Sequence, residues 1–241
     1  LDSAIALDST HAASHLLRHR IRRTMGLTTN ADELRIAARH ASRLDGRERL
    51  LLTGELQLAE DDARALATAD TLLLRHADDD AALLLAARIA LQAMRADRAD
   101  ALARRVLARQ GDGGWGRSGG ACTACEAVEL RLHAAWTAGD IGRAESIASG
   151  YRARAGSTPR VVLWQATLAE GRGLWRAADS LYRASGLAPH ADADARALRL
   201  AVRAGDLARA ERMAREALAS GDADRRVDGE HALALVLREQ D

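Results

Sequence analysis

A phrase of about ten residues recurs three times in the second half of the chain. It reads TAGDIGRAES at 137–146, EGRGLWRAAD at 170–179 and RAGDLARAER at 203–212. Aligned on their glycines, successive copies are 34 and then 32 residues apart. A period near 34 residues is typical of arrays of helix–turn–helix repeats. The phrase therefore predicts paired helices that repeat along the chain.

Each copy carries three positions with different physical roles. Its Gly can take the left-handed backbone conformation that ends a helix. The apolar residue two positions later begins the packing face of the next helix: Ile141, Trp175 and Leu207. The Ala five positions after the Gly is small enough for two helices to approach closely: Ala144, Ala178 and Ala210.

These residues resemble the tetratricopeptide repeat, whose pattern has this Gly and this Ala, a later aromatic residue and a closing Pro. The segment GLWRAADSLYRASGLAP at 173–189 has the last two as Tyr182 and Pro189. The copy AGDLARAERMAREAL at 204–218 has Ala214 at the aromatic position, and the first helix of each unit lacks the usual Trp and Leu-Gly. The resemblance implies an all-α protein, an α-solenoid of degenerate TPR-like helix–turn–helix repeats.

Composition favours the same fold class. Apolar residues make up 48% of the chain, but aromatic residues only 2%, and Phe is absent. The core must therefore come mostly from Ala, Leu, Val and Ile. Ala and Leu favour helices, whereas the aromatic and β-branched residues typical of sheets are scarce.

Apolar spacing predicts helix pairs on both sides of a Gly-rich break, in which six of the ten residues 111–120 are Gly. Such a break is typical of a hinge or loop. The predicted helices are 11–25, 31–44, 47–59, 62–76, 80–95, 98–110, 124–138, 141–155, 160–171, 174–187, 191–204, 207–220 and 225–239. The predicted organisation is an N-terminal sub-array at 1–110, the break at 111–123 and a C-terminal sub-array at 124–241.

Two segments of the N-terminal half carry further resemblances. The opening SAIALDSTHAASH at 3–15 resembles the seam between two repeats, so we expect the chain to begin inside a repeat. The segment RLDGRERLLLTGEL at 43–56 is similar to TPR regions attached to bacterial serine/threonine kinases and transcriptional regulators. No basic n-region opens the chain, so no secretory signal is predicted and the bacterial compartment, cytoplasmic or periplasmic, stays open.

The charge balance excludes some classes of partner. The 35 basic and 34 acidic residues nearly cancel, so the chain as a whole does not attract nucleic acid or anionic membranes. No run of about 18 apolar residues exists that would predict a membrane span. The Walker, GxSxG and HExxH motifs are also missing from the sequence, and we expect neither an enzyme nor a cofactor.

Cys122 and Cys125 form a CxxC motif at the predicted start of a helix. A zinc site needs four ligands, and no second Cys pair completes one. The motif fits a disulfide or two buried thiols best. A redox pair stays open, because a helix N-terminus lowers thiol pKa values. Trp115, among the glycines before this motif, is expected to pack on the core, with an exposed anchor as the alternative.

The first predicted helix carries two further patterns. His11, His15 and His19 lie four residues apart on one face, a spacing that can bind a metal but also fits a packed helix face. No metal site is predicted, because no Asp, Glu or Cys accompanies them at ligand spacing. The run RHRIRR at 18–23 could grip a phosphate or an acidic peptide through Arg forks. Its more common form is a solvated face paired with acids, here Asp32 and Glu33.

The resemblance to tetratricopeptide repeats implies a concave groove, lined by the first helix of each pair, that binds an extended or helical segment of a partner protein. The groove positions of the family fall here on Glu129, His133, Trp136, Leu163, Thr167, Glu170, Arg199 and Arg203. This mixture suits a partner with both apolar and charged side chains. We therefore expect a non-catalytic scaffold for protein–protein interaction.

Two other roles stay open. The chain could be a structural subunit of a larger envelope, secretion or pilus-type assembly, and would then bind through its convex face or its ends. It could also be a regulatory TPR segment of a bacterial kinase or transcriptional regulator.

Overall fold

The chain is helical throughout the residues that the computed structural model describes, which are 2–24, 31–111, 115, 122–186, 191–221 and 223–240. Within these ranges it forms fourteen α-helices, one short 3-10 helix and no β-strand. This confirms the all-α class. Most of the break predicted at 111–123, and also Pro189, lie outside the described residues.

The helices follow one another much as the apolar spacing predicts. The first seven are α1 Asp2–Leu7, α2 Ala12–Thr24, α3 Asp32–Arg39 with the 3-10 helix Ala41–Arg43 after it, α4 Gly46–Ala59, α5 Ala65–Arg75, α6 Asp80–Gln92 and α7 Ala96–Gln110. The next seven are α8 Thr123–Thr137, α9 Ile141–Ala155, α10 Pro159–Gly171, α11 Trp175–Ala184, α12 Ala191–Ala204, α13 Leu207–Leu218 and α14 Ala223–Gln240. The short helix α1 was not predicted.

The chain divides into two compact units, Leu1–Ile147 and Ala148–Asp241, with the boundary inside α9. In unit 1 each helix from α2 to α8 packs against the next, and α6 also contacts α4 and α8. In unit 2 each helix from α10 to α14 packs against the next, and α12 also contacts α14. The helices of each unit thus bury their apolar faces against the helices that precede and follow them.

Helix α6 shows the consequence for one sequence segment. Eight of its residues are buried, and Arg88 is the one charged side chain in its middle. A helix that is apolar on all sides is stable only when other helices surround it. Neighbours on four sides, α4, α5, α7 and α8, provide that environment.

The turns inside the helix pairs are Schellman motifs. Gly139 has a φ of 72°, its amide donates to the carbonyl of Trp136 at 2.9 Å, and the amide of Asp140 donates to that of Ala135 at 2.9 Å. The same two bonds recur at Gly173 and Gly205. Two of the orphan carbonyls at the end of the first helix are thereby satisfied. The Gly turns that the sequence predicts are therefore confirmed.

The same turn occurs in unit 1 without glycine. Met94 has a φ of 57°, and Asp61 a φ of 54°. The amide of Arg95 donates to the carbonyl of Ala90 at 2.8 Å, which is the hydrogen bond of the motif that spans five residues. The Ala five positions after Met94 is Ala99, fully buried like its counterparts in the other turns: Ala144, Ala178 and Ala210.

A recurrent ion pair joins the second helices of successive pairs. An acid directly after one buried Ala contacts an Arg directly before the next buried Ala. The three pairs are Asp70 with Arg98, Asp100 with Arg143, and Asp179 with Arg209. Asp100 and Asp179 are nearly inaccessible, and each also contacts an Arg four residues later on its own helix. Paired burial of this kind avoids the large cost of an isolated buried charge.

Replacing Met94 by Gly is expected to stabilise unit 1 by about 1 kcal/mol, because a left-handed conformation costs a side-chain-bearing residue roughly that much. The Met94 side chain is 73% exposed, so little packing is lost. Urea unfolding followed by circular dichroism measures the change. Gly139→Ala is the matched control, which makes the opposite change at an equivalent turn. A Cβ at Gly139 has open space around it, so it adds only the strain of a left-handed residue that carries a side chain. A Met94→Gly chain no more stable than the wild type would contradict this account.

Arg209→Ala is expected to destabilise unit 2 by about 3 kcal/mol, because it removes the main partner of a buried carboxylate. Arg209 donates to both oxygens of Asp179, at 2.8 and 2.9 Å, and the Asp179 side chain is 5% exposed. Arg183→Ala removes the other, 60% exposed partner of the same carboxylate and should cost less than about 1 kcal/mol. Thermal unfolding measures the stability of both variants. If the two lose the same stability, the interhelical pair contributes no more than the exposed pair within the helix.

Candidate functional site

Most arginines of the basic run on α2 form ion pairs with acids within unit 1. Arg18 pairs with Glu33 of α3, as predicted, and Asp32 pairs with Arg35 on its own helix at 3.1 Å. Arg20 and Arg23 lie against Glu55 of α4. The sequence did not predict this partner, because Glu55 belongs to a different helix pair.

Five charged side chains form what we call the Glu55 cluster: Arg20, Arg23, Glu55, Arg88 and Glu126. Arg88 donates to the two oxygens of Glu55 at 2.8 and 3.1 Å, and Arg23 lies at 3.3 Å. Glu126 lies 3.4 Å from Arg23 and 3.6 Å from Arg88. The cluster thereby links α2, α4, α6 and α8, the first helices of the pairs in unit 1.

Burial dominates the electrostatics of this cluster. Glu55 is 3% exposed, and desolvation raises the pKa of its carboxyl against the opposing effect of Arg23 and Arg20. Desolvation likewise lowers the pKa of Arg20. These groups contact one another inside the unit, so the cluster is a structural link between helices.

The three predicted histidines, His11 just before α2 and His15 and His19 within it, have separate surroundings. Nδ1 of His11 lies 2.8 Å from the hydroxyl of Ser14. His15 is buried, with Nδ1 at 2.7 Å from Glu33 and Nε2 donating to the carbonyl of Ser9 at 3.0 Å. His19 is buried as well. Across the described ranges, no three His, Cys, Asp or Glu side chains come together as metal ligands.

Cys122 and Cys125 form a disulfide at the start of α8. Cys122 is the N-cap residue, and its Sγ accepts a hydrogen bond from the amide of Cys125 at 3.1 Å. Both residues are half-buried, and so is Trp115. The disulfide therefore lies at the margin of unit 1 and closes one turn of helix.

The predicted groove residues of α8 differ in accessibility. Glu129 is buried, Trp136 is half-buried, and His133 is exposed. All three belong to unit 1. His133 is therefore the most accessible residue of this set.

Two of the three predicted groove residues of α10 are held by an Arg that the sequence interpretation missed. Arg196 of α12 donates to the hydroxyl of Thr167 at 2.8 Å and to Glu170 at 2.9 Å. Its guanidinium also lies 5.3 Å from the centre of the Tyr182 ring. Leu163 packs on the unit 2 core and accepts a hydrogen bond from Thr167 at 3.0 Å. The structure thus brings Leu163, Thr167 and Glu170 together.

Arg196, Arg199 and Arg203 lie three and four residues apart, so they share one face of α12, which we call the α12 arginine stripe. The guanidinium of Arg203 lies 5.6 Å from the centre of the Trp175 ring. Arg199 is exposed and makes no ion pair or hydrogen bond with any residue that the structure describes. Arg196 could have been found from the sequence, because it lies three residues before Arg199 and seven before Arg203, on the same helix face.

No protein-family model matches this sequence, and no curated protein is significantly similar to it. The resemblance to tetratricopeptide repeats therefore rests on the residues themselves. Among the helices that the structure describes, none combines the length and apolar character needed to cross a membrane.

The Glu33 carboxylate should make stability depend on pH. Burial acts to raise its pKa, but hydrogen bonds from His15 and Arg18 outweigh burial and lower the pKa below its ordinary value of 4.5. The stabilisation is therefore complete above about pH 4.5 and is lost as the pH falls towards the lower folded-state value.

Glu33→Gln keeps the shape and removes the charge, so it should cost about 1.5–3 kcal/mol at neutral pH, the range for hydrogen bonds to charged groups. The difference in stability between Glu33→Gln and the wild type should become smaller as the pH falls below 4.5. Thermal unfolding of both chains between neutral and acid pH measures it. A difference that stays constant over this range would assign the loss to packing.

Proposed function

We propose that the chain is a non-catalytic scaffold for protein–protein interaction, which binds a partner polypeptide along the first helices of its repeats. The α12 arginine stripe in unit 2 supports this proposal. Its central residue, Arg199, is an exposed guanidinium that contacts no described acid. Exposed Arg residues of this kind are enriched where proteins bind other proteins.

The neighbours of Arg199 make the stripe a prepared surface. Glu170 and Thr167 fix Arg196, and Trp175 supports Arg203. Side chains that are already ordered lose less conformational entropy when a partner binds. The stripe therefore combines two ordered side chains, Arg196 and Arg203, with the unpaired charge of Arg199 between them.

The chemistry of the stripe suggests the character of the partner. A carboxylate can bind the free guanidinium of Arg199 through two parallel hydrogen bonds. The half-buried ring of Trp175, beside Arg203, offers apolar contact next to it. We therefore propose that the bound segment carries an Asp or Glu next to an apolar side chain.

Reversing the charge of Arg199 tests this function. Arg199→Glu should reduce partner capture about tenfold or more, because it places like charges together where an ion pair would form. A tagged chain is used to capture proteins from lysate, and mass spectrometry compares the amounts with those of the wild type. Circular dichroism confirms that helical content is unchanged.

Arg212→Glu is the matched control, because Arg212 is also exposed, lies in the same unit on α13 and makes no contact with a described acid. A partner lost with Arg199→Glu but kept with Arg212→Glu supports binding at the stripe. A partner kept by both variants would contradict it and would favour a structural subunit that binds through other surfaces.

A further inference from the structure

We infer that the Cys122–Cys125 disulfide is a thiol–disulfide exchange site, which a dithiol of another molecule reduces and a disulfide oxidant forms again. Three features of the site carry the inference: the position of Cys122 at the helix N-terminus, the partial exposure of the two cysteines, and the shortness of the loop that the disulfide closes. The inference is independent of the partner-binding proposal, which concerns unit 2.

The position of Cys122 favours its thiolate form after reduction. Cys122 is the N-cap of α8, a helix of fifteen residues, and its Sγ already accepts the amide hydrogen of Cys125. The first amides of a helix have no partner within the helix, and their dipoles stabilise negative charge. A thiolate at this position is therefore more stable than one in water.

The two cysteines are also partly exposed. Both are half-buried, whereas Ala124 and Ala127, on the inner face of the same turns, are completely buried. An attacking thiol needs access to one sulfur atom, and this is what distinguishes exchanging disulfides from inert ones. The motif therefore lies at the edge of the packed core.

Stabilisation of the fold does not account for this disulfide. A disulfide constrains the unfolded chain more as its loop becomes longer, and this loop joins residues only three apart. Packing against α6 and α7 already holds α8 in place. A disulfide with so small a structural contribution is better explained by its chemistry.

The exchange proceeds in two balanced steps. A thiolate of the reductant attacks Sγ of Cys125, the S–S bond breaks, and its electron pair leaves on Sγ of Cys122. The second thiol of the reductant, once deprotonated, attacks the mixed disulfide and releases Cys125, which takes up a proton. Two electrons pass to the protein, and the reductant departs as a disulfide. A stabilised leaving thiolate accelerates the first step.

Two single-cysteine variants test the thiolate. Cys125→Ser leaves Cys122 alone, and Cys122→Ser leaves Cys125 alone with a Ser that still caps the helix. The rate of alkylation by iodoacetamide is measured against pH for each. The pH at which the alkylation rate is half-maximal should lie, for Cys122, at least about one pH unit below the ordinary thiol pKa of about 8.5. For Cys125 it should stay near that value.

The intact chain is then equilibrated with mixtures of reduced and oxidised glutathione, alkylated and weighed by mass spectrometry. Dithiol and disulfide forms should both be present within the range of these mixtures, with unchanged helical content. Equal midpoints for the two cysteines would overturn the inference. A disulfide that persists in excess reduced glutathione, as structural disulfides do, would overturn it too.

Discussion

In both units, the helix pairs whose turns lie among the described residues share one backbone constraint, a left-handed residue that ends the first helix. It allows the two hydrogen bonds of the Schellman motif to close, and these bonds fix the direction in which the second helix departs. The spacing from this residue to the helix crossing is then constant, which is why a buried Ala follows after five positions at Met94, Gly139, Gly173 and Gly205. Met94 shows that the geometry is kept even where the residue is strained, because the packed helices around it determine the turn.

The interhelical ion pairs are a consequence of the same crossing. A small side chain at the crossing lets two second helices lie close together, so the residue after one Ala faces the residue before the next. In two of the three pairs, Asp100 with Arg143 and Asp179 with Arg209, the acid and the Arg meet with most of their surface removed from water. Arg suits such contacts because its planar fork can bind a carboxylate through two hydrogen bonds. Arg209 binds Asp179 in this way.

The sequence was informative where a residue type has one local meaning. Gly139 marked a turn, and the helix predicted at 160–171 begins within one residue of that range, at Pro159, which follows the N-cap Thr158. The turn at Met94 was not predicted, because Met gives no sign of a left-handed conformation. The partner of Arg23 was missed for a different reason: Glu55 is 32 residues away, and local spacing cannot show which side chains meet across helices.

The candidate site was predicted less completely than the fold, because a one-residue shift on a helix turns a side chain by about 100°. Glu129 shows the effect, since it was predicted for the groove and is buried. Arg199 and Arg203 are exposed, and Arg196, which was not predicted, organises the contacts beside them. The net charge of the chain is only +1, so the partner recognition proposed for the α12 arginine stripe relies on short-range contacts and not on a long-range field. Short-range contacts favour a guanidinium whose neighbours are already fixed and whose own charge is not yet paired, and that combination occurs at Arg199.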